Sequence, residues 1–160
     1  MRDRLHPTYS RLRLLLPLPA PKMNVLSPED SNALLSRLQD LCENATVALF
    51  VMDEHQHCVY MNGAAELLTG FTLPEVQGRP LHDFVHHHRP DGTPYPLAEC
   101  PIDRAAPQNN QQQGEEVFIH KDGHFYPVAF TASPIRHEDK VVGTVIEVQD
   151  ISTRKRQEAA

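Results

Sequence analysis

Phe118-Ile119-His120-Lys121-Asp122-Gly123-His124-Phe125 lies within residues 115–155, the stretch whose reading decides the fold. An Asp-Gly pair between two apolar runs signals a hairpin, because glycine takes the positive φ that tight turns need. The pattern predicts strands over 115–120, 125–134 and 141–149, with turns at 121–123 and 137–140. The third strand runs into Asp150-Ile151-Ser152-Thr153-Arg154-Lys155, where alternation gives way to charge and a helix is expected to start. An antiparallel meander that hands directly to a helix points to a sheet coupled to something beyond it, and so to signal relay rather than chemistry.

Upstream of the meander, residues 46–53 are almost uniformly apolar, which predicts a central strand covered on both faces. Residues 63–84 change to a short helical pattern, and the polar run over 108–113 reads as an exposed loop. Near the N-terminus, Ser27-Pro28-Glu29-Asp30 is a helix start: Ser27 caps, Pro28 suits the first turn, and acids there favour the helix dipole. Leu34, Leu35, Leu38, Leu41 and Cys42 then recur at helical spacing as one apolar stripe. Such a stripe packs on the chain's own sheet or on a second copy, making a homodimer one expected assembly.

These pieces resemble a PAS domain, the bacterial PAS/PAC sensory module. The run 118–125, Val142-Gly143 and the exit Asp150-Ile151-Ser152-x-Arg154-Lys155 are similar to its C-terminal half. Leu49-Phe50-Val51-Met52-Asp53 followed by Val59-Tyr60-Met61-Asn62 is similar to its opening hairpin. Residues 64–69, then Gly70-Phe71-Thr72 and Glu75-Val76-Gln77-Gly78-Arg79-Pro80-Leu81, resemble the helical connector that follows. The resemblance implies an α/β (α+β) fold: a five-stranded antiparallel sheet in the order 2-1-5-4-3, with short helices on one face and an N-terminal flanking helix. The expected organisation is a disordered basic, Pro/Leu-rich leader over 1–26, a flanking helix over 27–45, the PAS domain over 46–152 and the start of a linker helix over 153–160.

Composition agrees with one domain. The chain has 160 residues, 40% of them hydrophobic, enough for a core. A formal net charge of −6 argues against a dedicated nucleic-acid binder, which normally carries a basic face. Cys42, Cys58 and Cys100 are an odd set without repeated spacing, which favours free thiols and a reducing cytoplasm over a disulfide framework. No apolar run approaches the ~20 residues that span a bilayer. In the leader, prolines interrupt the apolar run 14–21, unlike a signal peptide, and Met23 offers a second start. Neither a phosphate-binding glycine loop nor a Gly-x-Ser-x-Gly elbow occurs, so no enzyme is expected, although the chain could be a fragment or relative of a sensor histidine kinase or cyclase.

Residues 82–101 set this chain apart. His82, His86-His87-His88, Pro90-Asp91-Gly92, Pro94, Pro96 and Glu99-Cys100-Pro101 predict a stiff, turn-rich loop rather than a helix. In a PAS domain this segment would lie over the ligand-holding face of the sheet. Imidazoles and a thiolate suit a transition metal such as zinc, iron or copper. His86, His88 and Cys100 are the candidate ligands, with Glu99 as a fourth; against them stands a plain polar loop with Cys100 as a small buried residue. Asn62, Phe84, His86, His88 and Cys100 are the candidate ligand-binding set, and Asp150, Ile151 and Arg154 the candidate relay. The plainer readings, favoured for both, are a turn residue at Asn62 and a helix cap at Asp150.

By comparison within the family, the Asn-Cys-Arg-Phe-Leu-Gln run of flavin light sensors does not occur, and residues 101–106 hold no histidine to serve as a haem axial ligand. The resemblance therefore implies a sensory or regulatory domain, as in two-component signalling, that binds a small ligand or a partner signalling domain and relays through its C-terminal helix. Two alternatives stand beside it: a ligand-free interaction or dimerisation module, and a metal- or redox-responsive sensor using the His/Cys loop.

Overall fold

A computed structural model describes residues 27–160, so the leader expected over 1–26 lies outside the described residues. The chain divides between Leu35 and Ser36 into two units, and the second, Ser36–Ala160, carries the sheet. Helix α1 spans Pro28–Glu43, and at its start Ser27 Oγ accepts the Asp30 N–H at 3.1 Å, the expected cap.

Among the described residues five antiparallel strands form one sheet in the order β2-β1-β5-β4-β3, as the resemblance implies. They are β1 (Ala48–Asp53), β2 (Cys58–Met61), β3 (Gln112–Ile119), β4 (Phe125–His137) and β5 (Lys140–Asp150). The meander has the predicted hairpins, with longer strands. β3 starts at Gln112, so Gln112 and Gln113 belong to the sheet and not to a loop: they pair with Ala132 and Thr131. Both are at the sheet edge with little burial to order, which leaves their composition uninformative. In β1, Ala48, Phe50 and Met52 are buried while Leu49 and Val51 are half-buried, so the strand is fully covered on one face only, correcting the two-face expectation.

Gly143 is required by the sheet. A Cβ there would come 2.3 Å from the Met52 carbonyl oxygen on the neighbouring strand, closer than any side chain can sit. Gly70 plays a similar part at the end of α2 (Gly63–Thr69): its φ of 78° closes the helix, and a Cβ would meet the His120 ring at 2.6 Å.

Short helices cover the buried face: α2, α3 (Leu73–Val76), α4 (His82–Val85) and α5 (Ala105–Gln108), with single 3₁₀ turns at Leu97–Glu99 and Ile102–Arg104. Phe50, Met52, Phe118, Val128 and Ile146 from the sheet meet Val76, Leu81, Val85 and Ile102 from the helical side. Beyond β5, Ile151 is buried and donates its N–H to the Pro127 carbonyl at 3.0 Å, and α6 (Ser152–Ala159) leaves from there.

Candidate functional site

The segment 82–101 opens with a helical turn where only a loop was expected. α4 carries His82, and the His86 N–H donates to the His82 carbonyl at 3.0 Å. Residues four apart on a helical turn share a face, and both imidazoles turn inward: His82 is 6% and His86 1% exposed. The prolines act only after this turn. The next stretch folds back, with Tyr95 N–H donating to the His87 carbonyl at 2.9 Å, and ends with Cys100, 2% exposed, after the 3₁₀ turn Leu97–Glu99.

Partners assign the tautomers. The Tyr95 carbonyl can only accept, so His82 donates Nε2–H to it at 2.7 Å, leaving Nδ1 as a lone pair. That Nδ1 is buried and has no hydrogen-bond partner among the described residues. His86 donates Nε2–H to the Glu116 carboxylate at 3.0 Å, and its Nδ1 lies 3.3 Å from Cys100 Sγ. Tyr95 stacks on His86 with ring centres 4.2 Å apart and donates its hydroxyl to Glu116 at 3.3 Å. One donor atom each of His82, His86 and Cys100 lies within 4.8 Å of the other two.

Burial sets the charges. It pushes the Cys100 thiol up to about 12, with the nearby Asp103 charge adding to the effect. Asp103, 8% exposed, is pushed up to about 6, again mainly by burial. His82 is lowered from the usual histidine range, first by burial and then by neighbouring His86 against the opposing hydrogen bond to Tyr95. Burial therefore keeps the Cys100 thiol protonated and opposes the charged forms of His82 and Asp103. A thiol so buried is a poor nucleophile and slow to oxidise, which weighs against thiolate redox chemistry, and a metal bound there has to displace the same proton. The space enclosed among Met52, Val85, Cys100, Asp103 and the two imidazoles is about 10 Å³, the lower limit for one water molecule. A group the size of a flavin or a haem would require the helices to move aside.

Several candidate residues lie elsewhere. His88 is exposed and hydrogen-bonds His87 ring to ring at 2.6 Å, so His82 and not His88 joins His86 and Cys100. Glu99 points outward and pairs with Arg89. Phe84, two residues from His82, packs edge-on against Phe71 at 5.3 Å under the Arg79 guanidinium. Asn62 is saturated: Oδ1 accepts from the Leu49 and Ala65 N–H groups at 2.9 and 3.0 Å, and Nδ2 donates to the Cys42 and Val47 carbonyls at 2.9 and 3.0 Å. An Asn side chain offers two donors and two acceptor sites, so none is left for a ligand.

At the exit, Asp150 ends β5 and accepts the Ser152 N–H at 2.7 Å, supporting the first turn of α6 from one residue before its cap, Ile151. Arg154 pairs with Glu115, and so does Lys155, at 2.6 Å. His82, Tyr95, Asp103, Glu115, Glu116 and Lys155 were not among the candidates. The i,i+4 spacing of His82 and His86 was the available signal for one of them. For Glu116 it was an acid in alternation with Phe118 on the inward face of a strand.

Among the described residues no helix is long and apolar enough to cross a membrane. No curated protein matches the chain. The PAS fold matches residues 36–151. Among solved structures, a PAS domain from Colwellia psychrerythraea is similar, with a TM-score of 0.62 and 23% identity over 76% of this chain and 99% of that one. A PAS domain from a two-component sensor histidine kinase aligns with a TM-score of 0.61 and 15% identity over 75% of this chain and 98% of that one. An RNA-binding light-oxygen-voltage receptor gives a TM-score of 0.68 and 24% identity over 88% of this chain, which spans only 39% of that receptor. With the fold, the strand order and this match in agreement, the chain belongs to the PAS family, a family of sensory and signalling modules.

Proposed function

We propose that this PAS domain takes its input at the His86 cluster and reports it through the hold on α6. One observation carries the reading: the two ends meet on adjacent residues of β3. Glu116 faces inward and receives His86 and Tyr95; Glu115, the next residue, faces outward and receives Arg154 and Lys155. Side chains alternate across a strand, so a small shift or twist of β3 moves both carboxylates together. As an edge strand, β3 is laddered only to β4 and is freer to shift than β5, which is held on both sides. A packed sheet converts a small displacement at its face into a choice between arrangements of an attached helix. The relay thus includes Ile151 and Arg154, joined by Lys155, while Asp150 supports the helix start.

The input is a small species or a change at the cluster itself, since the enclosed space holds little more than an ion. Output onto a partner signalling domain would parallel the sensor histidine kinase whose PAS domain is similar. Buried free thiols at Cys58 and Cys100 agree with a reducing, cytoplasmic setting. The test is Glu116→Gln, read by hydrogen exchange on α6. Weakening the inner carboxylate should speed exchange across Ser152–Ala159 several-fold; α6 protection unchanged while β3 responds would reject the relay.

A second reading rests on α1, where Leu38 and Leu41 are 48% and 69% exposed. An apolar stripe of this kind favours a homodimer, or a helix from a partner, as the assembled form. Leu38→Glu should convert that dimer to monomer in sedimentation with the sheet signal in circular dichroism retained; a monomeric wild-type chain would remove this reading.

A further inference from the structure

We infer that His82, His86 and Cys100 form a binding site for one borderline-soft d¹⁰ metal ion, zinc(II) or copper(I). The inference rests on the reading of this cluster as the domain's input and names what that input is.

Two imidazole nitrogens and a sulfur suit such ions and reject magnesium or calcium, which take oxygen. The spacing fits as well. Zinc bonds of about 2.0 Å to nitrogen and 2.3 Å to sulfur at a tetrahedral angle place the two donors roughly 3.5 Å apart. His86 Nδ1 and Cys100 Sγ are 3.3 Å apart, and all three residues place a donor within 4.8 Å of the others. Each histidine has its other ring nitrogen fixed by an outside acceptor, the Tyr95 carbonyl for His82 and the Glu116 carboxylate for His86. Metal-binding histidines are oriented in this manner, because the outer acceptor fixes the tautomer and raises the basicity of the ligand nitrogen.

His82 Nδ1 supplies the independent observation. It is a buried lone pair with no partner among the described residues, and leaving such a group unpaired is costly. Metal binding replaces the Cys100 thiol proton, which leaves to solvent, by a metal–sulfur bond. The resulting thiolate and the Glu116 carboxylate balance a divalent charge. Asp103 borders the same space without joining the three-donor group, so it reaches zinc as a fourth donor only by shifting inward, whereas copper(I) is satisfied by three. Ligation at His86 changes what Glu116 holds, and so acts on β3.

The experiment is titration of the full chain, stripped by chelation, with zinc(II), with cobalt(II) as the spectroscopic probe, and anaerobically with copper(I). One equivalent should bind, with a thiolate-to-cobalt charge-transfer band and a raised melting temperature. Cys100→Ser and His82→Gln should each lower affinity by more than the roughly 10–100-fold expected for the outer partner in Glu116→Gln. Asp103→Asn should weaken zinc and spare copper(I), while His88→Ala and His124→Ala bind as wild type. Wild type binding no better than Cys100→Ser, or a loss of affinity in His88→Ala, overturns the site. Should the cysteine variant not fold, X-ray absorption of the metal-loaded wild type decides: one sulfur and two nitrogens support the site, and a sulfur-free shell overturns it. Because Glu116→Gln is read on α6 in the metal-free chain, a failed titration removes the metal and leaves the relay standing. An unmoved α6 removes the relay and leaves the metal site.

Discussion

His82, His86 and Cys100 are enclosed beneath the helices, whereas His120, Asp122 and His124 offer a similar donor set on the exposed hairpin between β3 and β4. In the hairpin each of the three residues already has a side-chain partner within the group. Asp122 accepts the His124 N–H at 3.0 Å and its ring Nδ1, the Asp122 N–H donates to His120 Nδ1 at 3.2 Å, and the two rings stack at 4.7 Å. That group makes a turn. The buried group instead keeps one lone pair without a partner and a thiol whose proton is held by burial. Donor chemistry alone does not make a site; what sets the buried group apart is a lone pair without a protein partner beside a second imidazole and a thiol.

The largest contrast between the two groups should be in stability. His86→Ala removes the partner of the Glu116 carboxylate and of the Cys100 thiol and leaves a cavity, a loss of about 2–4 kcal/mol. His124→Ala, on the exposed hairpin, should cost no more than about 0.5 kcal/mol. Urea unfolding of the metal-free chains measures both; similar costs would erase the distinction.

Next comes pH. Asp103 is raised from 3.8 to about 6 in the folded chain, so the native state holds that proton more tightly than the unfolded one. Its contribution to stability is complete below pH 3.8 and is lost as pH rises through about 6, a decline of at most about 3 kcal/mol. His82, lowered, acts with the opposite sign: its contribution is present above 6.5 and is lost as pH falls through the folded value. In the metal-free chain, Asp103→Asn should abolish the decline between pH 4 and 6 relative to wild type. An identical pH profile for the two would contradict the burial of that carboxyl. Variants of Asp122 should change stability far less, since that group is exposed.

The smallest effect should come from Glu115→Gln. Exposed ion pairs contribute only ~0–1 kcal/mol, so the midpoint of unfolding should barely move. Exchange across α6 should nonetheless quicken, because Glu115 holds both Arg154 and Lys155. An unchanged α6 would mean that Ile151 alone anchors the helix.

Much of the fold could be read along the chain because its signals are local. Asp122-Gly123 marks a hairpin, alternation marks β4 and β5, and Ser27-Pro28 marks a helix start. Gln112 and Gln113 escaped that reading because an edge strand places few demands on its side chains. In the site, His86 and Cys100 were legible as metal-binding residue types, but His88 was preferred to His82. The prolines downstream argued for a loop, and the single helical turn that aims His82 and His86 together is too short to leave a clear period. Glu116 and the Glu115–Lys155 pair lie far from their partners in sequence, and only the sheet brings them together.

The central claim is that the cluster and the exit helix are coupled through β3. A double-mutant cycle tests it most directly, combining His86→Asn with Glu115→Gln and reading the opening free energy of α6 by hydrogen exchange. If the signal passes through the adjacent carboxylates, His86→Asn loosens α6 in the wild-type background and has little further effect once Glu115 no longer tethers the helix, so the two changes are not additive. Additive effects, or no effect of His86→Asn on α6, would contradict the account.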